Sequence, residues 1–109
     1  MIFTGTAQAQ PAAPAEDIAH YQEITGLEWM QMSGGDRMDN VMAAMFLLSK
    51  NGVPINKAPD FYYDVLYQKI QRDPAQYALK ITNILANCVY EKEPGSRNAL
   101  DGLRGRPSQ

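Results

Sequence analysis

The sequence predicts an all-α protein: a compact bundle of about four helices with a flexible Ala/Pro-rich N-terminus and a polar C-terminal tail. Three observations carry this. Gly, Pro and cap-forming residues divide the chain into segments of helical length. Inside those segments apolar residues recur every three or four positions. Nothing alternates with period two for long enough to make a strand.

Taken in order, Thr25-Gly26-Leu27-Glu28 is a capping-box pattern that starts a helix over residues 27–32. A helical stretch over residues 16–24 runs into it, because Ile18, Tyr21, Thr25, Trp29 and Met32 share one face. Ser33-Gly34-Gly35-Asp36 breaks the run and has the form of a second capping box. The helix it opens covers residues 36–51 and stops at Gly52, the residue type best suited to a left-handed helix end. Residues 53–59 hold two prolines and read as a loop. Asp60 then caps a third helix over residues 61–72. Asp73-Pro74 pairs an N-cap with Pro at the first helical position, starting a fourth helix that reaches Glu91. Glu93-Pro94-Gly95 ends it, leaving one short turn around residues 96–103. The resulting boundaries are 1–15 for a signal-peptide remnant or flexible lead-in, 16–94 for the helical domain and 95–109 for the polar tail.

The helices differ in what they offer. The run VMAAMFLL, residues 41–48, is apolar all round, which predicts a central helix with Met38, Met42, Met45 and Phe46 as its largest core contacts. Five of the six methionines fall between Met30 and Met45, as gap-filling core or as an adaptable binding groove. On the third helix the apolar arc spans about 200° at the usual helical rotation. Tyr62, Val65, Leu66 and Ile70 form its core stripe. Tyr63 and Tyr67 flank that stripe, beyond the reach of one neighbouring helix, and are the candidate partner-binding residues. The fourth helix places Tyr77, Ile81, Ile84, Leu85, Cys88 and Val89 on one face, with Leu79 and Tyr90 off the stripe.

Composition narrows the function classes. At 109 residues the chain is a single domain with 45% hydrophobic and 20% charged residues, an ordinary globular balance. A folded part of about 80 residues has a thin stability margin that association would improve. The net charge of −2 gives no basic footprint for nucleic acid. The charges are segregated: residues 1–49 carry six acids and one base, Arg37, whereas residues 50–109 carry nine bases and six acids. That pattern suits antiparallel helices inside one bundle, or self-association between acidic and basic halves. No apolar run reaches the length of a transmembrane segment.

Catalytic chemistry finds little to work with. One His and one Cys, His20 and Cys88, make no metal set, and a single cysteine makes no intrachain disulfide. Cys88 lies mid-stripe and reads as a structural thiol. The Gly-containing helix start at Ser33 to Arg37 reads as a turn, because Asp36 already supplies the negative charge such a site would attract. Carboxylate pairs can be drawn among Glu23, Glu28, Asp60 and Asp64, with nothing in the spacing to select one. The sequence therefore assigns no catalytic residues, no cofactor and no metal.

The order of features is loosely similar to that of the Tai-type immunity proteins, small helical proteins of the bacterial periplasm. These features are Thr25-Gly26, Trp29 to Ser33, an apolar helix, and Asp73-Pro74 before a long last helix. That family carries a cysteine pair that this chain lacks. The resemblance implies a protein-binding class, not membership and not residue roles. The leading expectation is a small exported, periplasmic protein that binds another protein, as an inhibitor or immunity-type partner or as an accessory subunit of an envelope complex. The alternative is a carrier of a small apolar ligand in a cavity formed by Trp29, Met42, Met45 and Phe46.

Export is read from Ala7-Gln8-Ala9, a small-x-small site before Gln10-Pro11. Met1 to Thr6 ahead of it matches the last turn of an apolar signal segment, and an Ala/Pro linker is the competing reading. The export reading predicts a mature chain beginning at Gln10. N-terminal sequencing of the native protein checks it, and an intact Met1 in a cytoplasmic fraction contradicts it.

Overall fold

The computed structural model describes residues 24–104. The expected lead-in 1–15, the helix over 16–24 up to residue 23, His20 and residues 105–109 lie outside the described residues. The element order is α1 (Gly26–Met30), α2 (Gly34–Lys50), α3 (Pro59–Arg72), a 3-10 helix (Pro74–Ala78), α4 (Ile81–Lys92), a 3-10 turn (Pro94–Ser96) and α5 (Arg97–Leu103). Among the described residues the only extended pairing is one isolated antiparallel bridge between Thr25 and Lys80. The fold class is all-α, as the sequence predicts, and the four longer helices form a small bundle.

Several boundaries follow directly from local chemistry. The Thr25 box closes in both directions: the Glu28 N–H donates to Thr25 Oγ1, and the Thr25 N–H donates to Glu28 Oε1 at 2.9 Å. Ser33 caps α2 by accepting from the Asp36 N–H at 3.2 Å. Past its end, Gly52 takes φ +92°, and the Val53 N–H turns back to the Leu48 carbonyl at 3.0 Å. At α3 the cap differs from expectation. Ala58 is the N-cap without a side-chain bond, Pro59 is the first helical residue, and Asp60 sits inside the first turn. A proline there brings no N–H to satisfy, and the Asp60 charge still favours the positive end of the helix dipole.

The fourth helix is not continuous. Asp73 caps as predicted, accepting from the Ala75 N–H, but only the 3-10 helix Pro74–Ala78 follows it. Leu79 is then extended, with φ −91° and ψ 150°, and α4 starts afresh at Ile81. The break has a tertiary cause. The Gly26 N–H donates to the Leu79 carbonyl at 2.8 Å, and the Ile81 N–H donates to the Ile24 carbonyl at 2.7 Å. Two strand-like residues on each side thus pair where a helix would have used those groups internally. The approach is close enough that a Cβ on Gly26 would be driven into the Gln76 carbonyl oxygen.

The helix at the centre is α4, not α2. It buries Ile81, Ile84, Leu85, Ala86, Cys88 and Val89, and it packs against α1, α2, α3 and α5. Helix α2 buries only one face, through Asn40, Val41, Ala44 and Leu48. The folded region also runs past Pro94, since Ser96 and Leu100 are buried and α5 rests on α4. Tyr90, off the main stripe, is covered by Arg97 and Arg104, whose guanidinium carbons lie 5.1 and 5.8 Å from its ring centre.

A buried carboxylate ties these elements together. Glu93, 6% exposed, accepts from the Tyr62 hydroxyl at 2.6 Å and from the Asn56 N–H at 2.8 Å, with the Lys57 N–H at 3.4 Å. Burial pushes the Glu93 pKa up, but the bonds from Tyr62, Asn56 and Lys57 outweigh it and hold the carboxyl below its ordinary value. Burial and the adjacent Glu93 charge push the Tyr62 hydroxyl well above its usual range. With its folded pKa lowered, Glu93 contributes stability that is complete above the ordinary Glu pKa of about 4.3 and lost as pH falls through the folded value. The raised Tyr62 works at the other end, contributing fully below about pH 10 and losing that contribution as pH rises further. Tyr62→Phe should cost about 1.5–3 kcal/mol, and Glu93→Gln should flatten the acid limb of stability. Urea unfolding across roughly pH 3 to 8 checks this, and an unchanged acid limb in Glu93→Gln contradicts it.

Candidate functional site

Among the described residues no group of three or more His, Cys, Asp or Glu side chains is placed to hold a metal ion. Cys88 is fully buried on α4, and burial pushes its thiol up to about 11, against a smaller lowering from Lys69. A thiol held protonated inside the core is not a nucleophile at neutral pH. Of the four candidate carboxylates, Glu28 is committed to the Thr25 cap and Glu23 lies outside the described residues. Asp60 and Asp64 line one shallow depression together with Gly34, Met38 and Tyr63.

Tyr63 and Tyr67 are both half-buried, one turn apart on α3. Their inner sides face Trp29, with ring centres 5.4 Å and 6.4 Å from it at tilted angles. Trp29 is fully buried and is the reason the pair is better covered than one neighbouring helix would allow. Its position is locked: the indole N–H donates to the Arg37 carbonyl at 3.0 Å, and Arg37 Nε donates back to the Trp29 carbonyl at 3.2 Å. The Arg37 guanidinium also lies over the rings of Trp29 and Tyr67, at 5.7 and 5.4 Å. It also donates to the Met30 carbonyl at the end of α1. The only base among residues 1–49 is therefore spent on a structural clamp.

The larger surprise is on α2. Met42 is 50% exposed and Phe46 is 54% exposed, so neither is a core contact as the apolar run predicted. Ala44, between them in sequence, is buried and marks the core side. Residues two positions from it in either direction point to the opposite side of a helix. Met38 and Met45 lie at the flank, packed partly against the core. Because α1, α3 and α4 cover only the buried side of α2, an apolar run longer than one face leaves some of its side chains outside. Met38 meets Tyr63 at the depression beside Asp60 and Asp64. An apolar strip thus runs from Tyr63 across Met38 to Met42 and Phe46. Tyr63, a candidate from the sequence, lies at one end of this strip, whereas Met42 and Phe46 at the other were expected in the core. The signal was present in the Gly35, Met38, Met42, Met45, Ser49 spacing, which defines a second stripe beside the core one.

The cavity expected for an apolar ligand is not assembled. Trp29 is enclosed by its own neighbours, and Met42 and Phe46 turn outward. The groove at the far end of α2, about 310 Å³, is lined instead by Leu47, Leu48, Thr82, Ala86, Leu100 and Leu103. No family model matches the chain, and no curated protein or solved structure matches it either. The reading of this surface therefore rests on its geometry alone.

Burial of Cys88 sets a direct expectation. Cys88→Ser places a hydroxyl in an apolar site and should destabilise the fold by about 1–3 kcal/mol. Thiol labelling should be slow under native conditions and fast in denaturant. Equal rates would contradict a core position.

Proposed function

We propose that the protein acts by binding another polypeptide through the face formed by α2 and the adjacent edge of α3, and that it does so after export. In the terms of its class, it is an inhibitor or immunity-type partner, or an accessory subunit of an envelope complex. One observation carries the binding reading: two large apolar side chains, Met42 and Phe46, stand on the side of α2 that faces away from the core. Exposed apolar strips that continue over neighbouring elements mark interaction surfaces, whereas scattered single residues do not. Met and aromatic side chains are the types enriched at interface centres. Tyr63 adds a hydroxyl-bearing edge beside Met38, and Asp60 and Asp64 supply a polar rim. Export is supported by Ala7-Gln8-Ala9, and the burial of Cys88 is compatible with an oxidising compartment without pointing to one. The sequence of the lead-in is the sole support for the compartment.

The test separates binding from folding. Phe46→Ala should weaken partner binding by about 1–3 kcal/mol while changing stability by less than about 0.5 kcal/mol. Leu66→Ala, at a fully buried position, should cost about 2–5 kcal/mol of stability. Tyr67→Ala should fall between them, since it loses contact with Trp29 and Arg37 as well as surface. Titration calorimetry with the captured partner and thermal melts give the two numbers. Full retained affinity in both Phe46→Ala and Met42→Ala would remove this face from the function.

A further inference from the structure

The outer face of α2 has a pattern that identifies its partner more closely. Gly35, Met38, Met42, Met45 and Ser49 are spaced alternately by three and four residues, the spacing of a helix–helix seam, with Met38 and Met45 resting partly on the core and Met42 turned outward. Phe46 sits beside the middle of that seam and is its largest side chain. Two charges flank it on one edge, Asp39 near the start of α2 and Lys50 at its end, both exposed. Neither has an ion-pair partner among the described residues, where the one salt bridge joins Lys69 to Glu91.

The geometry points to a second copy of this chain as the occupant, with the two α2 helices antiparallel about a two-fold axis that crosses their outer faces midway between the levels of Met42 and Phe46. This rests on the reading that the face binds a polypeptide. In that arrangement Met42 lies level with the partner's Phe46, and the partner's Met42 lies level with Phe46. The apolar centre is then self-complementary, as a two-fold interface requires. Asp39 lies level with the end of the opposing helix and within reach of Lys50 of the partner subunit, and the same pair forms again at the other end. Both charges occupy the same edge of α2, so the two-fold axis brings those edges together on one side. A parallel pair would instead set each charge level with its own copy. The rim pairs act on register and steering more than on affinity, since exposed ion pairs contribute little. A single helix seam buries less than the roughly 800 Å² per partner of a standard interface, which places the dimer among weak, transient associations.

Sedimentation velocity on the full chain over a concentration series decides it. The expected result is a monomer–dimer equilibrium whose dissociation constant rises about tenfold or more in Phe46→Gln and in Met42→Gln. Both variants should melt as the wild type does at concentrations where all are monomeric. Asp39→Lys and Lys50→Glu should each weaken the dimer, and the double exchange should restore it. A wild type that stays monomeric to millimolar concentration overturns the proposal. So does a monomer melting temperature that drops in Phe46→Gln, which would mean that the patch is covered from within its own chain. Failure of the double exchange to restore association overturns the antiparallel register. Affinity for a captured heterologous protein, measured on the same variants, separates the two levels. A monomer whose Phe46→Gln variant loses that protein removes self-association and keeps the binding face; a monomer whose variants retain it removes both.

Discussion

The buried carboxylate of Glu93 is the constraint on which most of the structure depends. It lies at the end of α4, yet its donors come from Tyr62 on α3 and from the backbone of the loop before α3. A charge this deeply buried is costly unless it is fully hydrogen-bonded, and here three donors meet it. Satisfying it fixes the loop at Asn56 and Lys57, and thereby the point where Pro59 starts α3. The same corner is secured again by the Ser96 hydroxyl, which donates to the Pro54 carbonyl. From there the chain enters α5, whose Leu100 closes the core. A small domain with limited apolar volume thus uses one polar node to position three segments that its core alone would hold loosely.

A second polar arrangement does comparable work at the opposite end of the sequence. Helix α1 is only five residues long and makes too few internal bonds to stand alone. It persists because Thr25 closes its N-terminus, Arg37 takes carbonyls at its C-terminus, and Gly26 lets its first turn approach the Gln76 carbonyl. The gain is the placement of Trp29 under Tyr63 and Tyr67. Pairing of residues 24–26 with 79–81 is what the chain accepts in exchange, breaking one long helix into a 3-10 piece and α4.

Much of this was legible because local chemistry determined it. Thr25, Ser33, Gly52 and Asp73 each do in the structure what their residue type predicts in isolation. The stripe on α4 is buried as its spacing implies, Cys88 included. What escaped the sequence was tertiary. The break at Leu79 is set by partners some 55 residues earlier in the chain, at Ile24 and Gly26. The role of Glu93 depends on Tyr62, 31 residues away, and no local pattern links them. Trp29 was visible as a large apolar residue, but its cover over both tyrosines follows from how α1 folds back onto α3.

The misplacement of α2 is the instructive case, because the premise was sound and the conclusion was not. A helix apolar all round is surrounded by other surfaces, and that rule does not say the surfaces must belong to the same chain. Helix α4 takes the centre because it buries Ile81, Ile84, Leu85, Cys88 and Val89, with Ala86 on a further side, and so meets four other helices. Helix α2 has apolar side chains to spare once Val41, Ala44 and Leu48 are buried. No rotation about its own axis can bury Met42 and Phe46 without exposing Ala44 and Val41, since the two sets lie on different sides. The excess is therefore a property of the sequence and not of one particular packing. Water remains against it in the isolated domain, at the usual cost of roughly 25 cal/mol per Å² of apolar area. Removing that area from water requires a surface from outside the described fold, and the Tyr63 edge extends the strip in the one direction where α3 already provides support.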